Sequence, residues 1–262
     1  MADPAAGLEA LMDAAWPAAE RQDDGGWVLR AASGVTQRAN SVWPRHEPGA
    51  APHGRHAALR GARLWYRTRR LPLIFQVFDD PRYEALNALL DEEGFTRQSE
   101  TLVLVRDAAP APEEAPAGGV EVSDHPSEEW LRLWWSIDGR GGDAELAVAR
   151  GILAGCPALY ALIRDDDGVP AAVARLALPP MEPGWGGLYC LATRPDARRR
   201  GYAARVMGAL LRAGTVRGLA GYWLLVMASS AGARELYARA GFREAGRYLY
   251  RQERPKRHLT GC

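Results

Sequence analysis

Lysine is nearly missing from this chain of 262 residues: Lys256 stands alone among 33 cationic residues, so almost every positive charge is an arginine. A lysine that cradles phosphate or forms a Schiff base is therefore set aside, and no Walker sequence occurs. Cysteine is scarce too. Cys156, Cys190 and Cys262 are odd in number and far apart, which excludes a disulfide framework and a metal knuckle and fits a reducing cytoplasm. No apolar run approaches the roughly 18 residues of a membrane span, and acids stand early at Asp3 and Glu9, so neither anchoring nor export is expected. A formal charge of +1 lacks the excess that a nucleic-acid or anionic-membrane surface demands. Small molecules are the expected partners. The wealth of Ala, Gly, Arg and Pro with almost no Lys is what the codon bias of a GC-rich bacterial genome would give, an expectation about origin and not about function.

What is present is one stretch that organises the rest, Arg198-Arg199-Arg200-Gly201-Tyr202-Ala203-Ala204. Leu188-Tyr189-Cys190-Leu191-Ala192 reads as a short buried strand leading into it, closed off by Thr193-Arg194-Pro195-Asp196. Val206, Met207, Leu210 and Leu211 follow at helical spacing, so the turn opens a helix whose first amides lack partners. Amides, helix dipole and small residues together suit a pyrophosphate. Gly184-Trp185-Gly186 begins like a dinucleotide fingerprint, but Tyr189 fills the third glycine position and the segment precedes a strand.

A second strand candidate, Tyr222–Met227, then Ser229 and Ser230 as helix caps, and then Leu236-Tyr237-Ala238-Arg239-Ala240-Gly241-Phe242 complete the pattern. In this order the motifs resemble the GNAT acetyltransferases, with their R/Q-x-x-G-x-G/A loop and L-Y-x-x-x-G-F helix, over about the last half of the chain. The resemblance implies an α/β fold with a mixed sheet and acetyl-CoA lying between the strands at 188–193 and 222–227. Pantetheine would pair with Leu191 and Thr193, beside Ala192, and the pyrophosphate would sit on residues 198–204. Tyr237 would return a proton to the departing thiolate. Ser230 stands where the family commonly has Asn, which puts that side chain's contact with pantetheine in question.

Upstream, Leu8, Leu11, Met12, Ala15 and Trp16 mark an amphipathic helix. Residues 27–32 and 38–43 read as strands around a turn at Ser33-Gly34. A loop at 44–56, a helix at 57–70, a strand at 73–77, a helix ending in Gly94-Phe95 and a strand at 101–105 follow. Residues 38–105 thus repeat the order of 188–250, with Leu89-Leu90-x-x-x-Gly94-Phe95 over Leu236-Tyr237-x-x-x-Gly241-Phe242. The first copy reads as a degenerate GNAT-like half, 1–106, joined by a Pro/Ala linker, 107–119, to a catalytic half, 120–262. Its loop has lost the phosphate pattern and Leu90 replaces the tyrosine, so one coenzyme A per chain is expected.

The function these features imply is transfer of an acetyl group directly to an amine of a small molecule or peptide, without a metal. Two alternatives share the motifs: an acyltransferase of specialised-metabolite or thiol-cofactor synthesis, and an acyl-CoA sensor without turnover. No carboxylate lies on the central strand to serve as base. Asp138, Asp143, Glu145 and Glu182 are candidates from covering segments, and Arg30, Arg38 and Asn40 could face the acceptor. Cys190, with no histidine near it in the motif order, reads as a buried core thiol. His53-x-x-His56 lacks further ligands, and Asp165–Gly168 is a hairpin turn and not a calcium loop.

Overall fold

A computed structural model describes residues 4–46, 52–108, 119–181 and 184–254. In chain order the elements are α1 (Pro4–Ala15), β1 (Glu20–Asp24), β2 (Trp27–Ala31), β3 (Trp43–Pro44), α2 (Pro52–Thr68), β4 (Ile74–Phe78), α3 (Glu84–Glu92) and β5 (Thr96–Asp107). They continue with β6 (Val120–Ser123), α4 (Glu128–Asp138), α5 (Asp143–Ala154), β7 (Ala158–Arg164), β8 (Pro170–Ala177), β9 (Trp185–Thr193), α6 (Tyr202–Val216), β10 (Gly221–Met227), α7 (Ala231–Arg239) and β11 (Arg243–Gln252). The expected correspondence holds in element order: β3, α2, β4, α3 and β5 are matched by β9, α6, β10, α7 and β11.

Two compact units result, and they cut across the halves expected from the sequence. One comprises Met1–Pro17 with Leu102–Ala245, the other Ala18–Thr101 with Gly246–Cys262. In the first, strands run in the order β11, β5, β10, β9, β8, β7, β6; in the second, β1, β2 and β3 form a small sheet, and β4, β11 and β5 lie in that order. Each half thus lends its last strand to a neighbour from the other half: β5 lies beside β10, and β11 beside β4. Backbone pairing across an exchange of this kind leaves no signature in residue type, so the linker alone suggested a boundary. Residues 109–118 of that linker fall outside the described residues.

In the larger unit, alternate residues of β7, β8 and β9 face opposite ways. Leu159, Ala161, Ala174, Leu176 and Leu188 share a core with Val206, Met207, Leu210 and Leu211, the stripe expected of α6. Tyr160, Arg175 and Tyr189 point to the other face, where α1 and α4 pack. There Arg175, fully buried, donates to the carbonyls of Ala15 (3.0 Å), Leu153 (3.1 Å) and Cys156 (3.1 Å). A cation at the carbonyl ends of α1 and α5 meets the negative ends of two helix dipoles, so no carboxylate is needed to hold it. Trp16 stacks on Tyr189 with ring centroids 5.4 Å apart. These contacts explain why α1 belongs with residues 102–245 and not with its sequence neighbours.

The smaller unit corrects the expected hairpin at 27–43. Asn40 accepts from the amides of Ala32 (2.8 Å) and Gly34 (2.9 Å) and donates to the carbonyls of Val35 (2.7 Å) and Thr36 (2.8 Å). One side chain thereby takes the bonds a ladder would need, and residues 32–40 form a pinned loop. Strand β2 pairs instead with β1, Trp27 opposite Asp24, and only briefly with β3. Arg30 is buried and donates to the Ser41 carbonyl, Ser41 Oγ and Gln76 Oε1, so Arg30 and Asn40 hold this fold together.

Candidate active site

Strands β9 and β10 run parallel, paired from Gly221 opposite Trp185 to Leu224 opposite Leu188. There the pairing stops. Residues 189–193 continue along β8 on one side only, and on the other their backbone groups face the gap left by β10. Leu191 and Thr193 are half-buried and Ala192 is buried, as a strand lining an open seam requires.

At the start of this seam β9 bulges. Tyr189 pairs with Arg175 and Ala192 with Val173, so Cys190 and Leu191 oppose the single residue Ala174. Cys190 takes a positive φ of 55° there. Such a bulge re-aims amides and side chains and recurs beside active sites. The thiol is half-buried and close enough to Tyr160 to raise that phenol's pKa, together with burial as the larger cause. The expectation of a buried core cysteine is thus corrected. The sequence signal was weak, since nothing in Leu-Tyr-Cys-Leu-Ala marks a bulge.

Beyond the seam, Gly201 caps α6 in the left-handed conformation, φ 81° and ψ 0°, and offers no side chain to the first amides of the helix. Arg199, with φ 65°, is left-handed as well. A non-glycine residue held there stores strain of about 1 kcal/mol or more, as ligand-binding turns often do. Among the described residues nothing lies within 4 Å of a β-carbon built on Gly201. Arg198, Arg199, Arg200, Gly201 and Ala204 are exposed and Ala203 half-buried; Tyr202 puts its ring into the core and leaves only its backbone to the turn. The Arg198 guanidinium reaches back to the Thr193 carbonyl at 3.4 Å, closing the loop between strand and helix.

Helix α7 has no fully buried residue, although Ala233, Leu236, Tyr237 and Ala240 rest against the core. Burial pushes the Tyr237 phenol up to about 12, and the charge of Asp138 adds to the rise. Asp138 ends α4, its own carboxyl raised by burial and opposed by a hydrogen bond from the Trp134 indole. Of the other acids considered, Glu145 is committed to the Gly142 amide at 2.8 Å, Asp143 is exposed in the first turn of α5, and Glu182 lies outside the described residues. Ser230 stands at the N-cap of α7 but its side chain makes no capping bond, against the role expected for it. His53 has no described side chain.

A mixed sheet parted between two parallel strands, with a left-handed glycine turn opening the helix behind the gap, is the architecture of the GNAT acyl-coenzyme A transferases. Residues 6–251 match the family described as Probable histone acetyltransferase Rv0428c C-terminal, and the chain belongs to that family of GNAT N-acetyltransferases. It is 25% identical over 249 residues to the uncharacterized N-acetyltransferase YobR of Bacillus subtilis (strain 168), covering 94% of this chain and 98% of that protein. It is 30% identical over 212 residues to the probable histone acetyltransferase Rv0428c of Mycobacterium tuberculosis, covering 80% of this chain and 62% of that protein's length. Among solved structures, a GCN5-related N-acetyltransferase from Kribbella flavida superposes with a TM-score of 0.70 at 22% identity, over 99% of this chain and 98% of that one. A tandem GNAT protein from the clavulanic acid biosynthesis pathway gives 0.69 at 12% identity, over 95% and 88%. The fold is therefore the mixed α/β GNAT fold, with a small N-terminal sheet and a large mixed sheet. The family uses acetyl-CoA as donor. No helix among the described residues is long and apolar enough to cross a membrane.

Proposed function

We propose that the chain transfers an acetyl group from acetyl-CoA straight to a primary amine, with pantetheine along residues 191–193 and the pyrophosphate on the turn at 198–204. The observation that carries this reading is the parting of β9 from β10 after the Leu188–Leu224 pair, directly ahead of a left-handed turn rimmed by exposed arginines. Unpaired strand groups and uncapped helix amides both require partners, and an extended amide chain ending in a pyrophosphate supplies both kinds.

Tyr237 holds the leaving sulfur. Giving its proton away outright is costly: from a phenol at about 12 to a thiol near 8.5 the transfer is uphill by roughly 5 kcal/mol. A donated hydrogen bond that strengthens as charge builds on the sulfur avoids this cost. We therefore assign Tyr237 as donor to the thiolate throughout its departure. Half-buried Ser230, with its side chain free of capping duty, stands near the start of the same helix to reach the pantetheine side of the seam.

The test is thiol release from acetyl-CoA with spermidine, tyramine, glucosamine and a lysine peptide, the last because the mycobacterial relative bears the name of a probable histone acetyltransferase. Release with one of them establishes transfer. Calorimetry on the same protein should give one coenzyme A per chain. Binding without release from any amine would favour the sensor reading, and a stoichiometry of two would contradict a degenerate first half.

A further inference from the structure

Helix α1 precedes every other element, yet it packs on β9, late in the sequence. Its end is fixed in place. Arg175 donates to the Ala15 carbonyl at 3.0 Å, and Pro17 lies against Gly155, where an added β-carbon would come within 2.5 Å of the proline ring. Between these two anchors Trp16 is buried, with the Arg175 guanidinium 5.8 Å from its ring centre. Its indole lies flat on Tyr189, ring centroids 5.4 Å apart and planes 28° from parallel. We propose that Trp16 is a positioning residue for the reaction: it holds Tyr189, and through it the bulge at Cys190, in the geometry that the acyl end of the donor meets. The assignment rests on the acetyltransferase reading.

Tyr189 is the residue that needs holding. It is the last of β9 in regular pairing before the bulge, and Cys190, which follows it, has the positive φ of 55°. A non-glycine residue keeps that conformation only where its surroundings over-determine it. Were the bulge to slip out by one residue, the side chains that follow it in β9 would turn to the opposite face, and the groups lining the seam would change places. Two rings oppose this. From β10, Trp223 meets Tyr189 edge-on with centroids 6.4 Å apart and donates its indole N–H to the Tyr189 hydroxyl at 3.2 Å. Both rings crowd Gly187, where an added β-carbon would lie 2.4 Å from the Trp223 ring and 2.6 Å from that of Tyr189. From α1, Trp16 covers the flat face of Tyr189. Trp223 pairs with Gly187, so this clamp sits one residue before the Leu188–Leu224 pair at which the strands part.

The stack leaves the Tyr189 ring one orientation, since Trp223 takes its edge and hydroxyl. Trp134 meets Trp16 edge-on at 6.3 Å, so the indole is itself confined. An aromatic stack and the strain of one left-handed residue are of similar size, so losing one member of the clamp is enough to shift the bulge. Misplacing the reacting end by about 1 Å costs on the order of 10²-fold in rate, even when the change is made away from the chemistry. The turn at 198–204 lies outside the clamp, so the pyrophosphate end of the donor is not affected in the same way.

Trp16→Leu keeps an apolar filler and removes the stack, and Trp16→Phe restores a ring; Trp16→Met takes the place of the leucine variant if that protein does not fold. Labelling with dithionitrobenzoate reads the bulge without turnover, in a Cys262→Ser background where the half-buried Cys190 and the buried Cys156 are the remaining thiols. In Trp16→Leu, Cys190 should react several-fold faster while Cys156 keeps its parental rate. With acetyl-CoA and whichever amine of the panel the parent accepts, kcat should fall by about 10²-fold and coenzyme A affinity by less than about threefold. Trp16→Phe should regain most of both losses. Parental Cys190 reactivity in Trp16→Leu, a joint rise at both cysteines, or a loss of turnover that follows coenzyme A affinity or is not regained with phenylalanine overturns the assignment while the acetyltransferase reading stands. A parent that releases no thiol with any amine overturns both.

Discussion

At the end of α3, Gly94 donates to the Asp91 carbonyl at 3.1 Å and Phe95 to that of Leu90 at 2.9 Å; at the end of α7, Gly241 donates to Ala238 at 2.9 Å and Phe242 to Tyr237 at 3.0 Å. Both glycines are left-handed, with φ of 75° and 84°, and both phenylalanines are buried. The same local code therefore closes both helices. What they cover differs. Helix α3 buries Leu86, Leu89 and Leu90 completely, whereas α7 buries no residue fully and leaves Leu236 and Tyr237 half covered. The strand in front differs too: β4 meets its parallel neighbour in a single bridge, Val42 with Phe75, where β9 and β10 pair over four residues before parting. On the function proposed above, the leucines of α3 mark the copy without a ligand and the half-covered α7 the copy that holds one. A helix whose inner face is only half covered forgoes packing energy, as a surface kept for a ligand would.

Truncation should break this comparison most visibly in stability. Leu90→Ala removes a side chain with no exposed surface and should cost about 3 kcal/mol, within the 2–5 range of such cavities, while Leu236→Ala should cost roughly 1. Denaturant titration of the full chain compares them, and equal losses would mean that α7 is core like α3. Activity gives the next effect. Tyr237→Phe should lower turnover by about 10²-fold with coenzyme A affinity and melting temperature nearly unchanged, since the ring still packs on Phe242. Because the Tyr237 pKa is raised, the stability of its protonated form is fully present below pH about 10 and is lost as pH climbs through about 12. The parental pH–rate profile should accordingly show no step from Tyr237 below that value. Parental turnover in Tyr237→Phe would return the tyrosine to a packing role.

A matched pair of glycines gives the smallest effect and the cleanest control. Gly94 and Gly201 share the left-handed conformation, and among the described residues neither has an atom within 4 Å of an added β-carbon. Asn tolerates this conformation better than Val, so both Asn variants should lose under about 1 kcal/mol of stability. Only Gly201→Asn should weaken coenzyme A, by about tenfold, because its side chain enters the space the pyrophosphate would use. Calorimetry decides: equal affinity in the two variants would move the pyrophosphate away from this turn.

Much of the local structure was legible in residue order. The 3.6 spacing of Val206, Met207, Leu210 and Leu211 announced α6, the Asp-Gly of the β7–β8 hairpin its turn, and the paired Gly-Phe motifs the repeat, because each is a property of neighbours along the chain. The hairpin expected of strands 27–32 and 38–43 failed where Asn40 drew the backbone bonds of residues 32–36 to itself, a choice between two local partners that period alone does not resolve.

The sequence by itself determined the family, the helix-opening glycine turn and the tyrosine of α7, since these rest on residue types at fixed spacing. Only the tertiary structure decided the exchange of β5 and β11, the capture of α1 by Arg175 and the bulge at Cys190. Each of these depends on which distant strands and helix ends share backbone groups. Peptide groups are chemically alike at every residue, so their pairing is set by the packing of the whole chain and not by any one stretch of it.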